Sequence, residues 1–78
     1  MKVTDYFKFT RKRPDRRWIR DEWIERAIQH PTRREKQKDG RIRCWAKIPE
    51  ANNMYLRVIL LDDGETVHNA FFDRDFRP

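Results

Sequence analysis

The chain has 78 residues, enough for a single domain spanning residues 1–78 and for no more than one. Charged residues make up 41% of the sequence and hydrophobic residues 37%, and the 13% of aromatic residues excludes an intrinsically disordered chain. Cys44 is the one cysteine, which excludes a disulfide framework. With no long apolar run and no signal-peptide pattern, we expect a cytoplasmic protein without a membrane partner.

The net charge of +6 is unevenly distributed along the chain. Residues 1–43 contain 15 Lys/Arg and 7 Asp/Glu, a net charge of +8, whereas residues 44–78 contain 4 and 6, a net charge of −2. A basic half of this kind is typical of contact with a polyanion, although a solvated basic surface is the alternative. The densest basic run lies within residues 11–20. In this run we expect Arg13, Arg16 and Arg17 to attract RNA.

The N-terminal half predicts a short strand followed by helical segments. Residues 6–10 (YFKFT) are rich in strand formers and predict the first strand. Pro14 suits a short helical turn near residues 14–19, and apolar residues spaced four and five apart predict an amphipathic helix near residues 21–29, with Asp21 as its N-cap. Pro31 ends this helix.

The remaining residues predict an antiparallel meander. Residues 32–38 suit an edge strand, and Asp39-Gly40 is a two-residue hairpin signal. Residues 41–48 alternate between apolar and polar, which places Cys44 in the core. Residues 55–61 are a continuous apolar run typical of a central strand, and residues 65–72 form the last strand.

These elements predict an α+β fold. One helical segment, or two short helices, packs on one face of a small, mainly antiparallel sheet, because this is the economical arrangement for so few residues. The charged tail, residues 73–78, is expected to be exposed.

The polar face of the strand at residues 41–48 carries a basic and aromatic strip composed of Arg41, Arg43, Trp45 and Lys47. Alternating cations and rings suit single-stranded RNA, whose phosphates meet charge and whose bases stack on aromatic side chains. The alternative interpretation is an ordinary solvent face in which Trp45 packs under the helix.

His68 is the first candidate for catalysis. The chain has no serine and only two glycines, both in predicted turns, so a serine triad and a phosphate-binding glycine loop are excluded. The two histidines lie far apart, and no metal or cofactor is predicted. His68 suits proton transfer, as acid or base, in metal-free RNA cleavage. Strand parity puts it on the face of Ala70, and the alternative is a half-buried residue satisfied by one hydrogen bond.

Arg57 is the second candidate, a single cation within the apolar stretch YLRVILL. Because arginine is almost never buried unpaired, Arg57 either pairs with an acid such as Asp73 or faces a functional cleft. In a cleft, its planar guanidinium would match a phosphate. The sequence leaves both alternatives open.

Two segments resemble a family of small bacterial proteins of unknown function that is itself similar to the RelE and BrnT toxins. They are RPDRRWIRDEWIERAIQHP and DGRIRCWAKIPEANNMYLRVILLDDGETVHNAFFDRDF, with DGR, LRV and TVHNAFFDR as motifs, and the resemblance covers nearly the whole chain from Tyr6. It implies a RelE-like fold and an mRNA interferase silenced by an antitoxin. RelE-type toxins place basic residues on central strands and an acid/base residue near the last strand, positions that Arg57 and His68 match.

We therefore expect a toxin-type, metal-independent endoribonuclease with Arg57 and His68 as catalytic residues. Its partners would be mRNA, free or on the ribosome, and an antitoxin protein. The alternatives are a non-catalytic RNA-binding module and a protein-interaction module with a basic face.

Overall fold

The computed structural model describes residues 1–78 and contains two helices and four strands. In chain order the elements are α1 (Asp5–Thr10), α2 (Asp21–Gln29), β1 (Arg33–Lys36), β2 (Ile42–Ile48), a 3-10 turn (Pro49–Ala51), β3 (Met54–Leu60) and β4 (Val67–Phe72). The strands pair antiparallel in the order β1-β2-β3-β4. The predicted α+β class is confirmed. Neither helix has the length and apolar character needed to cross a membrane.

Helix α1 occupies the place of the predicted first strand, so that prediction is wrong. Thr4 caps the helix, since its Oγ1 accepts the Phe7 N–H at 3.1 Å. Asp5 lies in the first turn, where the helix dipole favours a negative charge. Phe7 and Thr10 are buried, and this spacing of three residues is helical. The capping signal outweighs the strand propensity of the aromatic residues.

Helix α2 confirms the amphipathic helix predicted near residues 21–29. Residues 11–18 form successive turns before it. Its N-cap residue is Arg20, so the predicted cap at Asp21 is wrong by one position. Asp21 is instead the first helical residue, and the positive end of the helix dipole stabilises its carboxylate there. The helix ends at Gln29, ahead of Pro31, as predicted.

The core lies between α2 and one face of the sheet. Trp23, Ile24 and Ala27 of α2 are buried against β2 and β3. The sheet contributes alternate residues to this core: Ile42, Cys44, Ala46, Ile48, Leu56, Val58, Leu60, Val67 and Ala70. The predicted alternation of β2 is therefore confirmed, as are the core position of Cys44 and the central position of β3.

The connection between β1 and β2 has a three-residue loop and not the predicted two-residue turn. The Gln37 N–H donates to the Arg41 carbonyl at 2.7 Å, and the Gly40 N–H donates to the Gln37 carbonyl at 3.0 Å. Gly40 has a φ of 91°, the left-handed conformation that closes such a loop. Residues 38–40 thus form the loop, and Gly40 is the last of them.

The C-terminal tail covers part of the second face of the sheet, whereas the sequence predicts an exposed tail. Phe76 is 9% exposed, and its ring stacks on Trp45 with centroids 4.9 Å apart. It also contacts the Tyr55 ring at 4.9 Å and lies under the Arg33 guanidinium. These contacts form a second, small apolar cluster on the side of the sheet opposite α2.

Strand β4 contains a register shift at His68. Ile59 pairs with Asn69 and Leu60 pairs with Val67, so His68 is the extra residue of a β-bulge. Val67 and Ala70 both face the core, which leaves the two residues between them for the opposite face. The predicted position of His68 on the face of Ala70 is therefore wrong, because the bulge interrupts the alternation of the strand.

Candidate functional site

The face of the sheet opposite α2 carries an open concavity of about 270 Å³. Nine residues line it: Tyr6, Gln37, Asp39, Arg41, Arg57, Ile59, His68, Asn69 and Phe71. Both predicted catalytic residues, Arg57 and His68, are among them, together with Arg41 of the predicted RNA-binding strip. The bulge in β4 places His68 on the same face of the sheet as Arg57.

Arg57 is the centre of a row of side chains that crosses the sheet. The register pairs it with Trp45 on β2 and with Phe71 on β4. Its guanidinium carbon lies 5.5 Å from the Trp45 ring centroid and 5.3 Å from that of Phe71. Both distances are in the range of cation–π attraction, so the two rings hold the charge at a fixed place.

Arg57 also forms an ion pair with Asp73. Its Nη1 lies 3.6 Å from Asp73 Oδ2, which accepts a hydrogen bond from Trp45 Nε1 at 2.9 Å. Burial acts to raise the pKa of Asp73, but the Trp45 hydrogen bond, the Asp75 N–H and the Arg57 charge hold it below its ordinary value. Arg57 therefore pairs with Asp73, which is the first alternative that the sequence leaves open, and it also lines the concavity.

His68 is held by two contacts from the N-terminal segment. Its Nδ1 lies 3.2 Å from Thr4 Oγ1, and the Tyr6 ring stacks on the imidazole at 4.7 Å. Burial, followed by the charge of Arg41, lowers the pKa of His68 below 6.5. Both effects favour the neutral imidazole over the imidazolium.

The sequence interpretation misses Thr4 and Tyr6. Tyr6 is assigned to a strand by propensity, and the Thr4 cap is not considered. Thr4 lies directly before Asp5 and three residues before the buried Phe7. This is the sequence pattern of a helix N-terminus, and it indicates a helix at Tyr6.

Of the three basic residues predicted in the N-terminal run, Arg16 alone is mostly buried. Its Nη1 donates to Asn69 Oδ1 at 2.6 Å, and its guanidinium lies 5.3 Å from the Phe71 ring. Arg16 therefore connects the basic run to strand β4 through these two contacts. Arg13 and Arg17 are exposed in the turns between the helices and are free to meet a polyanion.

The predicted basic and aromatic strip is partly covered. Arg43 pairs with Glu35 at 3.0 Å, and Lys47 is exposed. Trp45 is only 4% exposed, so its ring offers no free face for a base to stack on. It does pack under another element, as the alternative interpretation holds, but that element is the C-terminal tail and not the helix.

The concavity combines two cations, one anion (Asp39) and one proton-transfer group. Arg41 and Arg57 can neutralise a phosphate, and arginine offers it a planar set of N–H donors. His68 can bind or transfer a proton close to them. This combination of charge and chemistry suits an anionic ligand such as a phosphate.

Compared with protein-family models, with curated proteins and with solved structures, the chain has no match. The resemblance to RelE and BrnT toxins therefore stays a prediction, and the case for function rests on the geometry of the concavity.

Proposed function

We propose that the protein is a toxin-type endoribonuclease that cleaves mRNA in the cytoplasm without a metal ion and is silenced by an antitoxin protein. The observation that supports the proposal is the β4 bulge, which brings His68 into the concavity of Arg57 and Arg41. Without this bulge, an unbroken strand would direct the histidine into the core.

In the proposed reaction, the ribose 2′-hydroxyl attacks the adjacent phosphorus. The new O2′–P bond forms as the P–O5′ bond breaks, which leaves a 2′,3′-cyclic phosphate and a free 5′-hydroxyl. Arg57 and Arg41 stabilise the negative charge that develops on the phosphate oxygens. The 2′-hydroxyl loses a proton and the leaving 5′-oxygen gains one; His68 carries out one of these two transfers and water the other. The exposed Arg13 and Arg17 attract the RNA towards the site.

The test is expression of the chain alone in bacterial cells, with growth and total RNA followed over time. We expect arrest and RNA breakdown with the unsubstituted chain, and loss of both with His68→Gln or Arg41→Ala. Arg41 is chosen because its side chain is exposed, so we expect its removal to leave the fold intact. Arg57→Ala would also break the buried pair with Asp73 and is harder to interpret.

Lys12→Ala is the matched control, since it removes one exposed positive charge outside the concavity. It should arrest growth like the unsubstituted chain. Intact RNA in cells that express the unsubstituted chain would refute the ribonuclease proposal. Equal losses for Lys12→Ala and Arg41→Ala would indicate that net charge matters and the concavity does not.

A non-catalytic RNA-binding or protein-interaction module is the second candidate. It is favoured by one observation, that Arg57 and His68 already have partners within the fold, Asp73 and Thr4. Binding to RNA that weakens steeply with salt, without cleavage, would support the RNA-binding version. A stable complex with a protein partner, without RNA binding, would support the other.

A further inference from the structure

We propose that Thr4 is a positioning residue for His68, which it orients so that Nε2 carries a proton and faces the concavity. His68 would then be the acid, and not the base, of the proposed cleavage. The catalytic meaning rests on the proposed function, whereas the placement of the proton is a property of the protein alone.

The backbone fixes Thr4 beside the bulge. Val3 forms a parallel bridge with Val67, in which the Thr4 N–H donates to the Val67 carbonyl at 3.0 Å and the Val67 N–H donates to the Lys2 carbonyl at 2.9 Å. The N-terminal segment is thereby attached to the free edge of β4, one residue from His68. Thr4 is therefore held in place by the same strand that carries the imidazole.

The Thr4 hydroxyl has one proton to donate and two lone pairs. One lone pair accepts the Phe7 N–H at 3.1 Å, which caps α1. Apart from this N–H, its one hydrogen-bond partner in the structure is His68 Nδ1 at 3.2 Å. The hydroxyl proton is thus directed at Nδ1, and the neutral imidazole carries its own proton on Nε2.

The same contact also suits the charged imidazole. When Nδ1 is protonated, it donates to the second lone pair of Thr4 Oγ1 after the hydroxyl proton has turned away. Nε2 then still carries a proton. His68 therefore presents an N–H to the concavity in both of its protonation states.

The surroundings of His68 favour an anionic ligand at this N–H. The ionisable side chains that line the concavity with it are Tyr6, Asp39, Arg41 and Arg57, two of them cations. The stacked Tyr6 ring limits rotation of the imidazole out of its plane. Neutral His68 would bind a phosphate oxygen. In the cleavage step the imidazolium would give its Nε2 proton to the leaving 5′-oxygen, while the proton of the attacking 2′-hydroxyl passes to water.

The test is the ¹⁵N NMR signature of the His68 ring, which distinguishes the two neutral tautomers. We expect the Nε2–H tautomer in the unsubstituted protein and in Thr4→Ser, which keeps the hydroxyl. Thr4→Val keeps the shape without the hydroxyl and should populate the Nδ1–H tautomer as well. An Nδ1–H tautomer in the unsubstituted protein, or an unchanged tautomer in Thr4→Val, would overturn the proposal.

Thr10→Val is the control for a weakened α1, because Thr10 donates to the Phe7 carbonyl and does not contact His68. It should leave the tautomer unchanged. The unsubstituted protein alone tests the placement of the proton if Thr4→Val does not fold. The Nε2–H tautomer in a protein that does not cleave RNA would refute the proposed function and leave the positioning role standing. The Nδ1–H tautomer in an active ribonuclease would do the reverse.

Discussion

Arg57 illustrates how one side chain can serve both the fold and the site. It lies between the rings of Trp45 and Phe71 and beside the Asp73 carboxylate, yet it lines the open concavity. Its Nε is buried without a hydrogen-bond partner. A buried donor left without a partner is costly, so the remaining contacts of Arg57 must hold it firmly.

The first prediction concerns the Asp73 carboxylate. Asp73→Ala should lower the free energy of unfolding by about 2 kcal/mol, because the Trp45 N–H and the Arg57 charge both lose their buried partner. Asp75→Ala, an exposed residue of the same tail, should change it by no more than about 0.5 kcal/mol. Urea denaturation measures both variants, and equal midpoints would contradict the role assigned to Asp73.

At the scale of elements, the sheet was predictable and its irregularities were not. Strand β2 alternates with a period of two, and helix α2 shows helical spacing with a proline after it, so both are correctly predicted. The bulge at His68 has no such signal. It arises where the N-terminal segment bonds to β4 and where Val67 and Ala70 both enter the core.

The candidate site was predictable in part for the same reason. Arg57 and His68 are each unusual in their own strands, and this is visible in the sequence. Their meeting in one concavity depends on strand register and on the bulge, which arise from contacts between distant segments. The sequence predicts a strand at residues 6–10, where helix α1 brings Tyr6 to the imidazole, because strand propensity is a weak guide over five residues.

The second prediction concerns the ion pair that joins α2 to the turn before β3. Arg26 donates to both oxygens of Glu50, at 3.0 and 2.9 Å. The side-chain hydrogen bond from Arg26 lowers the pKa of Glu50 from 4.5 to about 2. Because the pKa is lower in the folded state, the pair stabilises the fold above about pH 4.5, and this contribution disappears as the pH falls towards 2.

Glu50→Gln should therefore make stability less dependent on pH between about 4.5 and 2, as measured by thermal unfolding over this range. Salt should weaken the effect, because both side chains are partly exposed. Glu25→Gln, on α2 but without an ion pair, is the control and should follow the unsubstituted protein. A pH profile of Glu50→Gln that matches the unsubstituted protein would show that the pair contributes nothing.

At the level of the whole molecule, the two faces of the sheet differ in what they contact. One face packs on α2 and forms the core, whereas the other carries the concavity and the small cluster around Phe76. The basic N-terminal half contributes Arg41 to the concavity and the exposed Arg13 and Arg17 near α1. In the proposed function, Arg13 and Arg17 would attract the RNA over a distance, and Arg41, Arg57 and His68 would act on its phosphate.

The measurement that tests the central claim most directly is cleavage of a single-stranded RNA by purified protein in the presence of a metal chelator. We predict products ending in a 2′,3′-cyclic phosphate, a loss of rate of about 100-fold or more in His68→Gln, and an unchanged rate in Lys12→Ala. Intact RNA with the unsubstituted protein, or equal rates with and without His68, would contradict the account.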